Sequence, residues 1–366
     1  YFPQGTYRVS GQIELAHGPA GARLYGDGDT SVLKADTTKT HMLYMHDISG
    51  VIVDHLRFEG AHVFNKLTNT GAGILMLNAI DSRIHSCTFY GIGTGVLEDS
   101  GTSGTIFTDN QILDWGQVGY FVEGHTTVTN NQFIQTDPSP TDFANTSSHG
   151  MYIHSGAQDV LVQGNRIQGV KKYGIQVYGR QGDTVTNGIL IQGNTFENNA
   201  SDIIAYSETN GPVYGNITVS GNRLRDSHGI SVYMGKGTNL EVSDNEFVDC
   251  GGPEGVTLRM GSWDSGSTVD GGRILRNTLL WTKPSSTSGI DVEATTTKNI
   301  QVQDNWVAMY GKYGIYVRFA TGVTIANNVI WMPPGAGSDF ANGVELDEGA
   351  YDVQITGNDV YGTGLN

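Results

Sequence analysis

Two acidic residues, Asp291 and Glu293, lie two positions apart and alternate with the apolar residues Ile290 and Val292. Side chains at positions i and i+2 of an extended strand face the same side, about 6–7 Å apart. Arg259 and Arg318 lie roughly one repeat before and one repeat after the pair. Such a group could bind an acidic sugar and could also transfer protons during cleavage of a glycan.

The acidic pair supports two reactions. A glycoside hydrolase of the inverting kind uses two carboxylates about 6.5–9.5 Å apart as acid and base, although neighbouring arginines lower the pKa of a general acid. A uronic-acid lyase can instead use the pair to hold Ca²⁺ against the substrate carboxylate, with a nearby Lys or Arg as base. Asp291 and Glu293 are therefore candidate metal ligands, and Arg259 is a candidate catalytic residue beside them. Both reactions stay open.

Aromatic residues recur at the positions expected to face outward on the same sheet. A tyrosine offers a sugar ring a flat apolar face and a hydroxyl group, so a column of exposed tyrosines is typical of glycan binding. The alternative is an aromatic ladder that only stabilises the sheet. The candidate substrate-binding residues are Glu123, Tyr152, Tyr178, Tyr206, Tyr233 and Tyr316.

His154 is a third candidate for catalysis. With Tyr178 or Tyr206 it could form a base and acid pair of the kind used by lyases and epimerases. His149 and His228 precede strand glycines and are expected to be structural hydrogen-bonding residues.

Two short motifs repeat along the whole chain at irregular intervals of twenty-odd residues. Each is a β-type run that cannot bury its apolar face alone, so stacked coils are required. The pattern predicts an all-β, single-stranded right-handed parallel β-helix of about eleven or more coils, as one domain over residues 1–366. The first motif, Gly followed by alternating apolar residues, occurs at Gly73, Gly95, Gly119, Gly150, Gly174, Gly229, Gly255, Gly289, Gly314 and Gly343. The second, Asn-any-apolar, occurs at Asn110, Asn131, Asn165, Asn194, Asn222, Asn245, Asn277, Asn305, Asn328 and Asn358.

The recurring Asn is predicted to sit at a sharp bend with a left-handed backbone and to form an amide ladder. Cys87 occupies one such slot, and Cys250 lies about six coils further on, so two free thiols are expected. Asp202 replaces a strand Gly and is expected to border the cleft. Polar insertions at 136–148 and 261–272 are expected to form cleft walls.

Counting from each Gly gives two outward columns on one sheet. The first is predicted to contain Leu75, Leu97, Phe121, Tyr152, Gln176, Ile204, Ser231, Thr257, Asp291, Tyr316 and Glu345. The second is predicted to contain Leu77, Asp99, Glu123, His154, Tyr178, Tyr206, Tyr233, Arg259, Glu293, Arg318 and Asp347.

The order Asp291-x-Glu293, Lys298, Arg318 resembles polysaccharide lyase family 6, which contains chondroitinase B and alginate lyases. The resemblance implies Asp291 and Glu293 as Ca²⁺ ligands, Lys298 as catalytic base and Arg318 as acid or substrate clamp. It covers two coils, and it departs from the family in having Asp as the first ligand and Thr before and Asn after the lysine.

The opening segment, residues 1–11 with the sequence 24–28 after it, resembles the entry to pectate-lyase-like β-helices. That superfamily also contains hydrolases, alginate epimerases and phage tailspike depolymerases. The resemblance supports the fold more than any one reaction.

The composition of the chain argues against two classes of partner, nucleic acids and membranes. The formal net charge of −16 argues against nucleic acid, which needs a basic face, and no apolar run approaches the roughly 18 residues of a membrane span. The chain opens on Tyr1 without an initiator Met, so an upstream segment, including an N-terminal cap, is expected to be missing, and secretion is expected. No organic cofactor is expected, and the protein is expected to be a monomer or a homotrimer.

The sequence therefore predicts an extracellular enzyme that cleaves a uronic-acid-containing polysaccharide by β-elimination. A glycoside hydrolase, including a tailspike-type depolymerase, is the alternative. A uronan C5-epimerase or a non-catalytic glycan-binding β-helix is a further alternative.

Overall fold

The computed structural model describes residues 1–18, 20–61, 71–136, 148–208, 210–252, 256–261, 268–282, 288–308, 310–332 and 342–362. The chain divides into two compact units, Tyr1–Gln176 and Val177–Asn366. The single domain expected over 1–366 stays a prediction. Most of the two polar insertions, residues 137–147 and 262–267, and the motif residue Gly255 lie outside the described residues.

The described residues of the first unit form short strands and one turn of 3-10 helix at Gly28–Thr30. Its strands are β1 (Gly5–Val9), β2 (Ile13–Ala16), β3 (Arg23–Tyr25), β4 (Ser31–Ala35), β5 (Leu43–Ser49), β6 (Ile52–Asp54), β7 (Arg57–Glu59), β8 (Ala72–Ile80), β9 (Arg83–His85), β10 (Thr88–Tyr90), β11 (Thr94–Asp99), β12 (Thr105–Thr108), β13 (Gln111–Leu113), β14 (Val118–Val122), β15 (Thr126–Thr129), β16 (Gln132–Ile134), β17 (His149–His154), β18 (Gln158–Gln163) and β19 (Arg166–Gln168).

The boundary between the units falls within β20 (Tyr173–Gly179). The second unit continues with β21 (Asn187–Gln192), β22 (Thr195–Glu197), β23 (Ser201–Ser207), β24 (Gly215–Ser220), β25 (Arg223–Arg225), β26 (Val232–Met234), β27 (Gly237–Thr238), β28 (Glu241–Ser243), β29 (Glu246–Val248), β30 (Leu258–Met260), β31 (Val269–Asp270), β32 (Arg273–Leu275), β33 (Thr278–Leu280), β34 (Ser288–Glu293), β35 (Thr297–Gln303), β36 (Trp306–Ala308), β37 (Tyr313–Arg318), β38 (Thr321–Ala326), β39 (Val329–Met332), β40 (Asn342–Leu346), β41 (Tyr351–Thr356) and β42 (Asp359–Gly362).

Within each unit the strands form three parallel sheets, because each strand pairs with the equivalent strand of the next coil. In the first unit the first sheet runs β1-β4-β7-β10-β13-β16-β19, the second β2-β5-β8-β11-β14-β17 and the third β3-β6-β9-β12-β15-β18. In the second unit the first sheet runs β22-β25-β29-β33-β36-β39-β42, the second β23-β26-β30-β34-β37-β40 and the third includes β21-β24-β28-β32-β35-β38-β41. These repeated coils of described strands confirm the predicted all-β solenoid.

Stacked apolar side chains fill the interior of each coil. Val96, Tyr120 and Met151 occupy aligned positions on β11, β14 and β17 and are completely buried. Ile290 and Ile315 do the same on β34 and β37. Buried and outward residues alternate along these strands, as a half-buried strand requires, and this confirms the predicted period of two.

The Asn ladder is present, but its backbone differs from the prediction. Asn222 donates from its backbone and side-chain amides to Asn245 Oδ1, at 2.9 Å each, and its own Oδ1 accepts from Asn194. The left-handed residue is not the Asn itself but the one before it, such as Gly221 with φ 62° or Asp244 with φ 58°. The ladder Asn is buried, and the turn is made by its exposed predecessor.

Replacing Asn222 with Ala is expected to lower the free energy of unfolding by about 2–4 kcal/mol. The change removes two bonds accepted from Asn194 and leaves the buried carbonyl of Ile191 without its 3.0 Å donor, and each orphaned buried group costs about 1–3 kcal/mol. Chemical denaturation measures the loss. Gln301→Ala, at an exposed strand position, is the control and is expected to change stability by less than about 0.5 kcal/mol.

Both cysteines are free, as predicted, and both are buried. Cys87 occupies the Asn slot of its coil, where its backbone N–H donates to Asn110 Oδ1 at 2.9 Å. Burial raises the pKa of each thiol to about 12, so neither is reactive at neutral pH. Among the described residues no helix is both long and apolar enough to cross a membrane.

Candidate active site

The outer face of the second sheet in the second unit brings the predicted residues together in a register that corrects one prediction. Tyr233 pairs with Arg259, Arg259 with Asp291, and Asp291 with Tyr316. Tyr233 and Arg259 therefore belong to the first outward column, not to the second column where they were predicted. Arg259 consequently lies directly beside Asp291.

The error has a local cause. Val232 pairs with Leu258 and Leu258 with Ile290, so the small residue before each of them, Ser231 or Thr257, fills the slot that Gly289 fills one coil later. Gly229, from which the column was counted, lies two residues too early. Ser231 and Thr257, predicted to face outward, are completely buried.

Arg259 joins the two acidic residues. Its Nη2 donates to Asp291 Oδ2 at 2.9 Å and lies 3.7 Å from Glu293 Oε2. All three residues are 5% exposed or less, so the pair is held in a low-dielectric environment where its charges interact strongly. The structure thus brings together Arg259, Asp291 and Glu293 as predicted, with the arginine between the carboxylates.

A glycine allows the neighbouring coil to pass close to this pair. Gly261, which directly follows β30, has φ +104°, and a Cβ there would collide with the carbonyl oxygen of Glu293. Its N–H donates to Met234 O at 2.9 Å, which fixes the end of the strand that carries Arg259. The glycine therefore supports the site by permitting this close backbone approach.

The carboxyl of Asp291 titrates closer to neutral pH than an ordinary aspartate. Burial raises the pKa of its carboxyl to about 6, against the opposing effect of Arg259 and with a further increase from Glu293. Its Oδ1 has no hydrogen-bond partner within the part of the chain that the structure describes. A carboxyl group with this pKa can hold a proton near neutral pH and donate it.

Arg318 and Tyr316 form the exposed rim of the site. Arg318 Nη1 lies 3.8 Å from Glu293 Oε1, and the side chain is 37% exposed. Tyr316 donates from its hydroxyl to Asp347 Oδ2 at 2.6 Å. Burial, with the adjacent Asp347 carboxylate, raises the pKa of Tyr316 well above its ordinary value, so its hydroxyl stays protonated as a hydrogen-bond donor.

Lys298 is positioned elsewhere. The chain turns after β34, at Ala294 with φ 120°, and Lys298 lies on β35 of the third sheet, in register with Asp270. Its Nζ lies 3.2 Å from Asp270 Oδ2. The lysine is thus paired with a different carboxylate from those that the family resemblance implies, and its catalytic role stays a prediction.

Three tyrosines lie on the outer face of the same unit. The ring centroids of Tyr178 and Tyr206 are 4.9 Å apart, and those of Tyr206 and Tyr233 are 6.3 Å apart. Tyr178 donates to Glu208 Oε1 at 3.1 Å. All three side chains are half-buried, so their outer faces form an aromatic surface beside Arg259.

The first unit has its own polar and aromatic group on the second sheet. Phe121 and Tyr152 are in register and stack with centroids 5.0 Å apart. His154 Nδ1 lies 3.0 Å from Glu123 Oε2, and its ring is 6.1 Å from that of Tyr152. The predicted residues Glu123, Tyr152 and His154 are therefore brought together.

Sequence reasoning missed the acid that positions Glu123. Glu98 is completely buried at an inward strand position, and it accepts a 2.6 Å hydrogen bond from the hydroxyl of Tyr120 and a 2.9 Å bond from the backbone N–H of Glu123. Burial raises the pKa of Glu98. The available signal was an acidic residue in a slot reserved for apolar side chains.

A family profile described as "Right handed beta helix region" matches residues 20–189 and 184–360. The chain belongs to this family. Its parallel sheets and stacked coils are those of the right-handed β-helix that the sequence predicts. No curated protein sequence matches the chain.

Several solved β-helices are similar in fold. A tailspike protein double mutant of E. coli bacteriophage HK620, in complex with a pentasaccharide, is 10% identical with a TM-score of 0.60, over 96% of this chain and 74% of that one. The pre-mature gene product 12 of bacteriophage phi29 is 15% identical with a TM-score of 0.71, over 100% of this chain and 49% of that one, so this chain spans about half its length. The A-module of the Azotobacter vinelandii mannuronan C-5 epimerase AlgE6 is 16% identical with a TM-score of 0.52, over 98% of this chain and 89% of that one.

The interior of this β-helix contains a second acidic residue, and the prediction that it borders the cleft is wrong. Asp202, expected at the cleft, is completely buried. Its carboxylate accepts hydrogen bonds from the Ser231 hydroxyl and, at 2.9 Å, from the Asn199 amide. Burial raises its pKa to about 7, so the group is a polar core residue rather than part of the surface.

Asp202 is expected to make the β-helix less stable as pH rises. Its folded pKa of about 7 exceeds the unfolded value of about 3.9, so its favourable contribution is complete below pH ~4 and is lost as pH rises through ~7, by up to a few kcal/mol. Denaturation at pH 5 and pH 8 is expected to show this loss in the wild type and a smaller one in Asp202→Asn. An equal loss in both proteins would contradict the assignment.

Proposed function

We propose that this β-helix is a glycan-cleaving enzyme that hydrolyses an acidic polysaccharide at the outer face of the second sheet in its second unit. The observation that carries the proposal is the buried pair Asp291 and Glu293, bridged by Arg259, in which Asp291 has a pKa of about 6. Two carboxyl groups in different electrostatic environments are the arrangement that glycosidic cleavage requires.

The roles follow from those environments. Asp291, whose pKa is raised, protonates the glycosidic oxygen as the sugar–oxygen bond breaks. Glu293, with guanidinium nitrogens 3.7 Å and 3.8 Å away, is the carboxylate that either activates water or attacks the anomeric carbon.

The distance between the two carboxylates favours Glu293 as the nucleophile that attacks the anomeric carbon. Arg259 Nη2 lies 2.9 Å from Asp291 Oδ2 and 3.7 Å from Glu293 Oε2. The distance between these two carboxylate oxygens is therefore at most the sum of the two values. That limit is at the lower edge of the ~6.5–9.5 Å window of inverting enzymes and includes the ~5–5.5 Å of retaining ones. We therefore expect retention of anomeric configuration.

The burial of Asp291 and Glu293 behind Arg318 favours an acidic substrate. Asp291 and Glu293 are almost completely buried, so a sugar reaches them only when a rim side chain moves. Arg318 is the exposed neighbour of Glu293, and a carboxylate or sulfate on the glycan would draw its guanidinium away by forming a bidentate pair. Tyr206 and Tyr233 would stack on adjacent sugar rings.

The neighbouring structures support a glycan as substrate. The tailspike of similar fold was solved with a pentasaccharide bound, as a variant lacking one aspartate and one glutamate side chain, and the Azotobacter module is named for mannuronan, a uronic-acid polymer. An extracellular location and a monomeric or homotrimeric state remain predictions that accompany this proposal.

The deciding experiment offers the chain alginate, pectate, dermatan and E. coli surface polysaccharides, and measures both reducing ends and ultraviolet absorbance of the unsaturated product. New reducing ends without that absorbance support hydrolysis. A neutral glycan prepared by carboxyl reduction is the matched control and should be cleaved much more slowly. Cleavage of reduced and native glycan at equal rates would contradict the role given to Arg318.

Elimination is the second candidate, because Arg318 is suitably exposed to bind a uronate. In the second unit it needs Lys298 to leave Asp270 and act as the base. His154 with Tyr152 would be the base and acid of a separate site within the first unit. Arg259 already neutralises Asp291 and lies close to Glu293, so this pair does not fit a Ca²⁺ site, where oxygens alone surround the ion. A rise in ultraviolet absorbance that EDTA abolishes would instead support elimination with Ca²⁺.

A further inference from the structure

A cluster of metal-ligating side chains lies at the other end of the chain, in the first two coils of the first unit. His17, His46 and Asp47 each offer one ligand atom, and these atoms lie within 4.8 Å of one another. The cluster follows from the register, since β2 pairs with β5 with Ala16 opposite His46. His17 and Asp47 are therefore equivalent turn residues of consecutive coils, with φ 47° and 49°.

Hydrogen bonds already orient two of these ligands. His46 Nε2 lies 2.8 Å from Glu14 Oε1, and His46 Nδ1 lies 3.2 Å from Asp47 Oδ2. Asn78 donates from Nδ2 to the other oxygen of Asp47, Oδ1, at 2.8 Å. One nitrogen of His46 and one oxygen of Asp47 thus face each other, while the opposite atom of each is held by an outer partner.

We propose that this corner is a Zn²⁺ site that fastens the first coil to the second, a role separate from glycan cleavage. His17, His46 through Nδ1 and Asp47 through Oδ2 are the ligands, and water completes the tetrahedron. Two imidazoles and a carboxylate are a ligand set that Zn²⁺ prefers over Ca²⁺ or Mg²⁺. Glu14 accepts the remaining N–H of His46, as outer-shell carboxylates do at zinc sites.

The arrangement needs little movement to bind the ion. Zinc–ligand distances of about 2.0–2.2 Å in a tetrahedron put ligand atoms roughly 3.3–3.6 Å apart, so His46 Nδ1 and Asp47 Oδ2, at 3.2 Å, already lie close to the required separation, and all three ligand atoms lie within 4.8 Å. His17 and Asp47 are both exposed, so small side-chain rotations close the gap without disturbing the strands.

His17 distinguishes the metal site from a simple ion pair. A protonated His46 between Glu14 and Asp47 would account for the hydrogen bonds at His46 without any contribution from His17. Only metal binding makes His17 a necessary partner of Asp47 and His46.

The test is calorimetric titration of the whole chain with ZnCl₂. One equivalent is expected to bind, and His17→Ala is expected to weaken it at least tenfold, with Glu14→Gln weakening it by ~10–100-fold. His125→Ala is the matched control, because His125 also lies beside a carboxylate, Asp159 at 3.4 Å, and should leave zinc affinity unchanged. Circular dichroism checks that each variant is folded.

Two outcomes would overturn the proposal: no saturable binding of one equivalent, or the same affinity in His17→Ala as in the wild type. Substitution with Co²⁺ gives an independent readout, since tetrahedral coordination produces a visible absorption band that His17→Ala should remove. None of these measurements involves a glycan, so failure here leaves the proposed hydrolase untouched.

Discussion

Asp291→Asn and Glu293→Gln are each expected to lower glycan cleavage by about 10²–10⁴-fold. The first change removes the proton that the leaving oxygen needs, and the second removes the base or nucleophile; general acid–base catalysis contributes a factor of this size. Both substitutions keep the side-chain volume. Release of reducing ends by the full chain measures the loss.

The wild-type rate is also expected to fall as pH rises through about 6. Asp291 acts as an acid only while protonated, and burial sets its pKa at about 6, so each further pH unit should cost up to about tenfold. An activity that stays constant from pH 5 to pH 8 would argue against Asp291 as the acid.

Asp244→Asn provides the control for these two variants. Asp244 also pairs with an arginine, Arg276, at 2.8 Å, but the pair is exposed on another part of the second unit. The variant loses an arginine–aspartate contact of the same kind and is expected to retain full activity. Unchanged activity in Asp291→Asn or Glu293→Gln would move the reaction to another part of the molecule.

The features predicted correctly from the sequence are those set by local periodicity. Strand alternation and the recurring Asn both depend on residues close in the chain, so the coils and the ladder were predictable. The placement of Asp291, Glu293 and Arg318 followed from the same counting, because Gly289 and Gly314 do occupy the strand slot.

The wrong column assignments arise where a small polar residue occupies the inward strand position that glycine occupies in other coils. Asp202, Ser231 and Thr257 fill small inward slots because they can bond to one another or to nearby polar groups in the interior, for example Thr257 to Cys250 O at 3.0 Å. Counting from Gly229 therefore displaces Tyr233 by one column, and counting from Gly255 displaces Arg259 in the same way. A rule that allows small polar residues in the glycine slot would have found the contact between Arg259 and Asp291.

The position of Lys298 shows a different limit. It is five residues beyond Glu293, close enough along the chain to suggest a shared site. A turn between β34 and β35 moves it to another sheet, and its pairing with Asp270 depends on a residue one coil earlier. Proximity in sequence carries little information about proximity across a corner of the coil.

Replacing Arg259 with Met is expected to destabilise the protein by about 3–5 kcal/mol at pH 7. The variant leaves Asp291 without its charged partner in a buried site and removes one of the cations near Glu293, and a buried charge that loses its partner costs about this much. The loss should be smaller at pH 5, because Asp291, with its pKa of about 6, is then largely protonated. Chemical denaturation at the two pH values measures both effects.

The double variant Arg259→Met, Asp291→Leu tests whether the ion pair serves stability or catalysis. Apolar replacement of a buried ion pair is often neutral or stabilising by about 1–4 kcal/mol, and Glu293 keeps Arg318 as a cation at 3.8 Å, so stability should recover toward the wild-type level. Activity should not return, because the proton donor is gone. A stable double variant that still cleaves glycan would make the pair a purely structural feature. A stable and inactive one would mean that the β-helix retains a costly buried charge pair because glycosidic cleavage needs it.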